Sequence, residues 1–427
     1  MNSQNRVVLV VGSGIAGVAS ALELANAGVS VYLIEKEAVV GGHSASLCCK
    51  ATDVCSKCSS CVVPGKVKET LIHPQIRLLT NSSVSRLNGE VGNFRVEITQ
   101  EPRYVDPQRC TACGLCTEIC PTSPKAIYAL PADVTPSSYI LDERLCLRFK
   151  EEDCHLCRES CPTKAIQFQL KPKQQVLSVD AIIIASGFDV LNARAKGSLG
   201  YGRYPNVLTG LDLEKAFNRE GCVGLPTNGK QPQRVAFIQC IGSRDEGHGY
   251  CSHVCCKYAT KLAGLVKYQS PDSQVTIYYI DMQTAGKGFA QFYEEYKESI
   301  RFVRGVPVEV LRTASGELEV RFEDIPRGQV CRDTFDLVVL SVGISPKRQS
   351  WELARTFGLN LTDDGFFEIK NSLSSNETNV EGVFLAGTCQ GPKDIPDSVA
   401  HGLAAGSKAI QLLAEFESRR PGNQSER

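Results

Sequence analysis

Cysteines between positions 110 and 120 have the spacing that holds a metal cluster. Cys110, Cys113, Cys116 and Cys120, followed by Pro121, form the run C-x2-C-x2-C-x3-C-P. Such runs bind cubane iron–sulfur clusters, and the last cysteine of one run ligates the other cluster of a pair. The run therefore predicts one-electron transfer chemistry.

A second, partial run completes the pair. Seven residues separate its first two cysteines, Cys146 and Cys154, which predicts a loop before Cys154. By the two-cluster rule, one cluster takes Cys110, Cys113, Cys116 and Cys161, and the other takes Cys120, Cys146, Cys154 and Cys157. Zinc is the alternative metal for C-x2-C pairs. The Cys-Pro endings and the symmetry of the two runs favour iron–sulfur.

A glycine-rich turn near the start of the sequence predicts a dinucleotide site. An apolar strand runs into G-x-G-x-x-G at 12–17, and Glu35 ends the next strand. The first glycine allows the tight turn, the second lets a pyrophosphate approach backbone amides, and the third lets helix pack on strand. The Glu35 carboxylate can accept hydrogen bonds from ribose hydroxyls. A plain glycine turn is the alternative, and the surrounding strand, helix and acidic residue disfavour it.

Three further elements resemble those of two-dinucleotide flavoproteins of the glutathione reductase type. Gly41-Gly42 follows the second strand, 185–187 resembles their A-T-G element, and 382–387 resembles the strand that reaches the flavin ribityl chain. That family usually has Asp where this chain has Thr388. The resemblance implies FAD. The predicted FAD contacts are Gly12, Gly14, Ile15, Ala16, Gly17, Glu35, Lys36, Gly41, Gly42, His43, Ala185, Ser186, Gly187, Gly387, Thr388 and Ile395.

The second nucleotide fingerprint of such flavoproteins is missing. Strand 234–239 leads into Cys240-Ile-Gly-Ser-Arg244, which keeps one glycine. Cys251, Cys255 and Cys256 follow, so four thiols occupy the region where a nicotinamide would meet the flavin. Thiolate ligation of a further cluster explains both the lost glycines and the gained cysteines. Buried structural cysteines are the alternative.

The resemblance becomes closer in three strings. C-x-G-S-R-D at 240–245, Y-C-x-x-x-C-C at 250–256 and the segment 387–399 resemble the A-type flavoprotein of heterodisulfide reductase. The resemblance implies a cluster on Cys240, Cys251, Cys255 and Cys256 close to FAD, and a flavin hub that feeds partner subunits. Flavin-based electron bifurcation occurs in the family. Longer members carry an N-terminal domain and a C-terminal ferredoxin domain, which we do not expect here.

Five early cysteines allow three interpretations. Cys58 and Cys61 match a C-x2-C that the A-type flavoproteins carry near this point, and Cys55 precedes them. The first interpretation is a fourth cluster bound by Cys48 or Cys49 with Cys55, Cys58 and Cys61. The second is a flavin-linked dithiol, and the third is incidental thiols.

Composition limits the class of protein. The chain has 427 residues, which fits two or three domains, and its formal net charge is zero, which gives no sign of nucleic-acid binding. The chain has 20 cysteines, and we expect no signal peptide. The cysteines therefore predict metal clusters or redox thiols rather than disulfides. No apolar stretch is long enough to span a bilayer. We expect a soluble, cytoplasmic protein.

Strands alternating with helices predict parallel α/β sheets. We expect a Rossmann-like FAD domain, a degenerate NAD-like domain and an inserted two-cluster ferredoxin domain. The expected ranges are 1–100, 173–232 and 345–427 for the FAD domain with its crossover, 101–172 for the insert and 233–344 for the NAD-like domain. We further expect one strand over 176–186, a surface crossing over 197–233 and a last helix over 397–416.

These features predict a redox component of a multi-subunit oxidoreductase. It would carry FAD and at least three [4Fe-4S] clusters, with a fourth on the early cysteines. Its expected partners are heterodisulfide reductase B- and C-like subunits or hydrogenase- and dehydrogenase-type subunits, with ferredoxin as a further candidate. The alternatives are a stand-alone NAD(P)H-dependent flavin disulfide reductase and a non-catalytic metal scaffold.

Overall fold

A computed structural model of the chain describes residues 6–129, 138–150, 152–283 and 286–418. The strands are β1 Val7–Val11, β2 Ser30–Ile34, β3 Ile76–Leu79, β4 Ser82–Asn88, β5 Phe94–Gln100, β6 Ile127–Ala129, β7 Tyr139–Leu141, β8 Lys173–Val179, β9 Ala181–Ile184, β10 Phe188–Val190, β11 Val207–Thr209, β12 Arg234–Ile241, β13 Gln274–Tyr279, β14 Arg301–Arg312, β15 Leu318–Asp324, β16 Gln329–Phe335, β17 Leu337–Val342, β18 Ile344–Pro346 and β19 Val383–Leu385. The helices are α1 Ile15–Asn26, α2 Val62–Ile72, α3 Leu115–Ile119, α4 Leu156–Glu159, α5 Gly210–Glu220, α6 Cys255–Gln269, α7 Phe289–Tyr296, α8 Ser350–Phe357 and α9 Ile395–Ser418.

A parallel sheet in the order β19-β9-β1-β2-β3 forms the first unit. Its central strands are runs of Val, Ile and Leu because both faces are covered, as in other parallel sheets. Side chains of α1 and α9 pack on one face. The antiparallel sheet β4-β5-β8 and α8 pack on the other. This unit carries the glycine motif at the carboxyl end of β1.

The single strand expected over 176–186 is wrong. The segment forms two strands, β8 in the antiparallel sheet and β9 in the parallel sheet. Asp180 separates them, and its carboxylate binds the Arg6 guanidinium at 3.0 Å and accepts from the Val7 amide at 2.9 Å. The turn at this charged residue lets the chain change sheets.

A second sheet has the order β11-β17-β12-β13-β14-β15-β16. Its first five strands run parallel, and β14, β15 and β16 continue it as an antiparallel meander. Helices α5 and α6 pack on one face. The crossing expected over 197–233 is therefore wrong in part, because it contains β11 and α5. Helix α5 has its own local signals, a Thr209–Asp212 capping box and a left-handed Gly221 after its last turn.

The two ends of the cysteine-rich insert lie next to each other in the antiparallel sheet β4-β5-β8. It begins after β5 and ends before β8, and Gln100 at the end of β5 pairs with Lys173 at the start of β8. An insert whose ends meet in this way need not disturb the sheet that carries it. Within the described part of the insert, α3, α4 and the β6–β7 hairpin surround one small core.

The two halves of the insert repeat each other. Cys110 and Cys146 each donate a backbone amide to the carbonyl of an aspartate four residues earlier. Thr122 and Thr163 each place a hydroxyl near the sulfur of the cysteine two residues before, at 3.3 and 3.6 Å. None of the helices in the described ranges is both long and apolar enough to cross a membrane.

Candidate functional site

A cavity of about 1200 Å³ lies where the carboxyl ends of β1 and β9 meet α6 and the loop after Gly42. Of the predicted FAD contacts, all except Gly17 and Gly387 line it. Those two are packing positions. A Cβ on Gly17 would lie 1.9 Å from the Gly12 carbonyl oxygen, and a Cβ on Gly387 would lie 2.5 Å from the Ala16 Cβ.

The geometry at the start of α1 suits a phosphate group. Gly14 is the residue before the helix, and a Cβ built on it would meet nothing within 4 Å. Its backbone therefore faces open cavity, as close approach of a pyrophosphate requires. Gly12 has a φ of +105°, which an L side chain rarely adopts. The partial positive charge of the helix N-terminus adds to the attraction for an anion.

Two polar groups further along the wall also fit a dinucleotide. The Glu35 carboxylate accepts from the Ser13 amide at 2.8 Å and hydroxyl at 2.6 Å, and from the Glu37 amide at 2.9 Å. These bonds fix the carboxylate at the cavity and leave lone pairs for a ligand hydroxyl. The Ser186 Oγ is buried, and no group among the described residues forms a hydrogen bond with it. A buried hydroxyl of this kind is stabilised by a bound polar ligand.

His43 lies at the same wall. Its Nε2 is 3.1 Å from the Phe188 carbonyl oxygen, and the two rings lie 4.6 Å apart. The side chain is accessible through the cavity, yet the surrounding protein still lowers its pKa, mainly by desolvation. We therefore expect a neutral imidazole at pH 7.

The thiols in the degenerate nucleotide region lie together. The register of β12 shifts between Ile238 and Ile241, and Cys240 between them has a φ of +60°. Burial raises the pKa of Cys240 to about 12, and the neighbouring thiols of Cys256 and Cys251 add to this shift. Charge repulsion of this kind acts between neighbouring groups, so these thiols share one region of the fold.

One member of this thiol set also faces the cavity. Cys255, the first residue of α6, lines the cavity wall. Burial is the main cause that raises its pKa, and the neighbouring thiols of Cys240, Cys251 and Cys256 raise it further. Backbone amides already donate to two of the sulfurs, His253 to Cys251 at 3.3 Å and Gln283 to Cys256 at 3.5 Å. Hydrogen bonds to sulfur are one way in which proteins tune cluster potentials.

One small cavity in the insert is shared by cysteines of both runs. Cys120 lines a small cavity with Cys146, Cys154 and Cys157, although it belongs to the first run. Burial raises the pKa of Cys157 to about 12, and the thiols of Cys146 and Cys154 contribute.

Of the other four cysteines of the insert, three lie in or against its core, and Cys113 is exposed. Burial raises the pKa of Cys116 to about 11, with a contribution from Cys110 and Cys113. Cys161 and Cys110 pack against this core, and the Cys161 sulfur accepts from the Ala165 amide at 3.3 Å. In the described ranges no three His, Cys, Asp or Glu side chains are placed to hold a single metal ion.

The early cysteines have different surroundings from one another. Cys58 lines the cavity, with its sulfur 2.8 Å from the Ser60 hydroxyl oxygen, whereas Cys49, Cys55 and Cys61 are exposed. Burial raises the pKa of Cys58, but hydrogen bonds from Ser60 and the charge of Lys50 outweigh it and lower this pKa to about 7. Cys58 thus faces the cavity, whereas the three exposed thiols of this group face solvent.

Sequence reasoning missed a charged network behind this loop. Lys50 and Glu214 form an ion pair whose side chains are 2% and 1% exposed. Glu214 also accepts from the Cys48 amide at 2.8 Å. The Lys50 ammonium lies 5.3 Å from the Tyr258 ring centre. The cavity-facing side of α6, with Tyr258 and Lys261 beyond Cys255, was missed as well, although these residues recur at helical spacing.

Three known families match parts of the chain. The family described as pyridine nucleotide-disulphide oxidoreductase matches residues 161–406, and that described as FAD dependent oxidoreductase matches residues 8–105. The 4Fe-4S binding domain matches residues 103–124, which contain the first cysteine run. The chain therefore combines flavoprotein units with an iron–sulfur motif.

Curated relatives match almost the entire chain. The A-type component of the H2:CoB-CoM heterodisulfide,ferredoxin reductase of Methanothermobacter thermautotrophicus is 40% identical over 96% of this chain and 64% of its own length. The A-type iron-sulfur component of the CoB-CoM heterodisulfide reductase of Methanocaldococcus jannaschii is 39% identical over 96% of this chain and 65% of its own length. The chain thus spans slightly less than two thirds of these relatives.

Solved structures support the fold. Thioredoxin reductases from Lactococcus lactis and T. acidophilum, which are 16% and 15% identical to this chain, both superpose with a TM-score of 0.53 over 96% of this chain and 99% of theirs. They share its two-unit flavoprotein architecture. The chain is an oxidoreductase that belongs to the pyridine nucleotide-disulphide oxidoreductase family, and over nearly its whole length it is similar to the A-type flavoprotein of heterodisulfide reductase.

Proposed function

We propose that this chain is the FAD- and [4Fe-4S]-carrying electron-transfer component of a heterodisulfide reductase-like complex. The observation that carries the proposal is the position of Cys255. This residue belongs to a set of four interacting thiols and also lines the cavity formed by the glycine motif. A cluster on this set would therefore stand next to a flavin in the cavity.

Different groups of residues would hold the flavin and the clusters. When bound, the clusters supply one-electron transfer and the flavin links one-electron to two-electron steps. Gly12, Gly14 and the start of α1 would hold the pyrophosphate, and Glu35 would orient a ribose. Cys240, Cys251, Cys255 and Cys256 would hold the cluster nearest the cavity. The insert would hold two clusters near the protein surface, where Cys113 is exposed.

The early cysteines remain a prediction for a fourth cluster. Cys49, Cys55 and Cys61 would have to come together with Cys58, which now faces the cavity. The iron content separates the two cases, because three cubanes hold about twelve irons and four hold about sixteen.

The proposed partners follow from the relatives. Their names include ferredoxin and CoB-CoM heterodisulfide. We propose that this chain assembles in the cytoplasm with heterodisulfide reductase B- and C-like or hydrogenase- and dehydrogenase-type subunits, and that ferredoxin exchanges electrons with the insert. Flavin-based bifurcation belongs to the same proposal. It predicts that one donor reduces ferredoxin and a second acceptor together, and never ferredoxin alone.

Anaerobic purification tests the proposal. We expect one FAD and about twelve to sixteen irons per chain. Replacing Cys255 with Ser should remove one cluster signal from the electron paramagnetic resonance spectrum and slow flavin reduction. Cys222→Ser is the control, because Cys222 is an exposed thiol outside all the sets. Zinc in place of iron, absence of flavin, or an unchanged spectrum for Cys255→Ser would refute the proposal.

One observation favours a second candidate function, a stand-alone NAD(P)H-dependent flavin disulfide reductase. Cys58 faces the flavin cavity with a lowered pKa, as a reactive thiol would. The thiols at the end of β12 and after it, in place of a second glycine motif, weigh against a nicotinamide site. Bleaching of the flavin by NADH in the isolated chain would support this second candidate, and no bleaching would dismiss it.

A further inference from the structure

Gln239, near the end of β12, carries a side-chain amide that is buried without a hydrogen-bond partner in the described part of the chain. The residue is 6% exposed. Its Nε2 and Oε1 atoms are both shielded from solvent, and no group among the described residues bonds to either of them. Exchanging the two amide atoms would therefore satisfy neither. Because a buried amide left unpaired costs free energy, this one calls for a polar partner that these residues do not supply.

The amide lies on the face of the second sheet that α6 covers. Side chains of a strand point alternately to the two faces of its sheet. Phe237 of β12 packs in the core with α5 and α6, whereas Ile238 packs in the core on the opposite face. Gln239 follows Ile238, so its side chain returns to the α6 side. It does so one position before Cys240, where the register of β12 shifts.

The four-thiol set, Cys240, Cys251, Cys255 and Cys256, stands at the same place. Since β12 and β13 are parallel neighbours, the helix between them runs back and begins at the carboxyl end of β12. That helix is α6, and its first residues are Cys255 and Cys256. Gln239 does not line the cavity proposed for the flavin, so its amide lies on the cluster side of the site.

The chemistry of an iron–sulfur cluster matches this amide. The sulfurs of a [4Fe-4S] cluster accept hydrogen bonds, and the cluster carries one more negative charge after reduction. An N–H donor to these sulfurs favours the reduced state and raises the reduction potential. Backbone amides already donate to the sulfurs of Cys251 and Cys256. Gln239 would add a side-chain donor, which a substitution can remove.

We propose that the Gln239 side-chain amide donates a hydrogen bond to a sulfur atom of the cluster on the four-thiol set and raises the reduction potential of that cluster. Gln239 thereby sets part of the driving force for electron exchange between this cluster and the flavin. The inference deepens the proposed function and rests on it, because the cluster is part of that function.

Redox titration of the anaerobic holoprotein tests the inference. The electron paramagnetic resonance signal of the four-thiol set is the one that Cys255→Ser removes. Gln239→Leu replaces the amide with an apolar side chain of similar size. It should lower the equilibrium constant for reducing this cluster about tenfold, which is about 59 mV in a one-electron midpoint potential. The signals that Cys113→Ser and Cys154→Ser remove should keep their potentials.

A second readout does not require a variant that retains its cluster. Glutamine with a heavy nitrogen isotope in its side-chain amide is incorporated into the unmodified chain. Pulsed electron paramagnetic resonance then measures the coupling between this nitrogen and the reduced cluster. We expect a resolved coupling for the cluster of the four-thiol set, and its absence would overturn the inference.

Gln329→Leu is the matched control, since Gln329 is an exposed glutamine at the start of β16, the edge strand of the same sheet. Its cluster potentials should equal those of the unmodified chain. An unchanged potential in Gln239→Leu, or an equal shift in the clusters of the insert, would also overturn the inference.

Iron and FAD content are measured on the same samples. A chain that lacks iron, or lacks the signal that Cys255→Ser should remove, contradicts the proposed function and the inference with it. A chain with full iron and FAD whose potentials do not change in Gln239→Leu contradicts the inference alone.

Discussion

Lys50 and Glu214 form an ion pair that is almost completely removed from solvent, and it joins the early cysteine loop to α5. The loop follows the first nucleotide motif, whereas α5 packs against the second sheet. Since Glu214 also accepts from the Cys48 amide, a single carboxylate holds two points of the loop. The pair therefore fixes the segment that presents Cys58 to the cavity.

Removing one partner of this pair should be strongly destabilising. Lys50→Met leaves the Glu214 carboxylate buried without compensation, and we expect a loss of about 3–5 kcal/mol in the free energy of unfolding. Urea denaturation of the purified protein measures it. The double variant Lys50→Met, Glu214→Leu should lose less, because no charge then stays buried.

Lys297→Gln provides the surface control. Lys297 and Glu294 form an exposed pair at 2.8 Å, and such pairs contribute less than about 1 kcal/mol. If Lys50→Met is as mild as Lys297→Gln, the buried pair does not hold the loop.

Gly14 and Gly17 should respond differently to alanine. A Cβ on Gly14 has open space, so Gly14→Ala should fold with unchanged stability but bind FAD at least about tenfold more weakly, because the methyl group enters the pyrophosphate position. A Cβ on Gly17 meets the Gly12 carbonyl oxygen at 1.9 Å, so Gly17→Ala should destabilise the sheet itself. Thermal unfolding of the FAD-free protein and FAD titration separate the two effects.

Gly65→Ala is the control for both. Gly65 lies in α2 with nothing within 4 Å of a Cβ, and it does not line the cavity. It should keep both stability and FAD affinity. Equal loss of FAD and stability in Gly14→Ala would contradict an open phosphate site.

The candidate site could be read from the sequence where it depends on local motifs. The glycine motif, Glu35 and the cysteine runs act through short spacings, and the structure places nearly all of the predicted FAD contacts around one cavity. The overall fold class followed from strand and helix alternation and is confirmed by the similar flavoproteins.

Contacts between residues that are far apart in the chain could not be predicted from the sequence. The Lys50–Glu214 pair joins segments far apart in the chain, and neither residue belongs to a motif. The break at Asp180 involves Arg6, which directly precedes the neighbouring strand β1 but is 174 residues away in the chain. The apolar run at 176–186 reads as one strand because periodicity does not show which sheet each half joins. The glycines and prolines of 197–233 likewise concealed α5, whose amphipathic pattern is short.

Cys120 should belong to the cluster of the second run. It lines a cavity with Cys146, Cys154 and Cys157, and the Cys120 thiol acts on the pKa of Cys146. Cys120→Ser should therefore remove the same cluster signal as Cys154→Ser, and leave the signal that Cys113→Ser removes. Electron paramagnetic resonance of the three reduced variants measures this. Loss of the Cys113 signal in Cys120→Ser would contradict the exchange of ligands between the runs.

His401 should make stability depend on pH. It is 9% exposed, and its Nδ1 accepts from the Gly387 amide at 2.9 Å while Nε2 lies 3.0 Å from the Ser375 carbonyl oxygen. This arrangement requires a neutral ring with the proton on Nε2. Burial lowers the pKa of His401 from 6.5 to about 4, and the charge of Lys393 adds to the shift.

The folded pKa lies below the unfolded value, so the stabilisation is present in full above pH 6.5 and is lost as the pH falls toward 4. A shift of this size corresponds to about 3 kcal/mol. Urea midpoints between about pH 7.5 and 4 measure the loss, and His401→Gln, whose amide does not titrate, should flatten the curve by that amount. The same slope in both proteins would show that Gly387, and with it Thr388 at the cavity wall, is not held by a neutral His401.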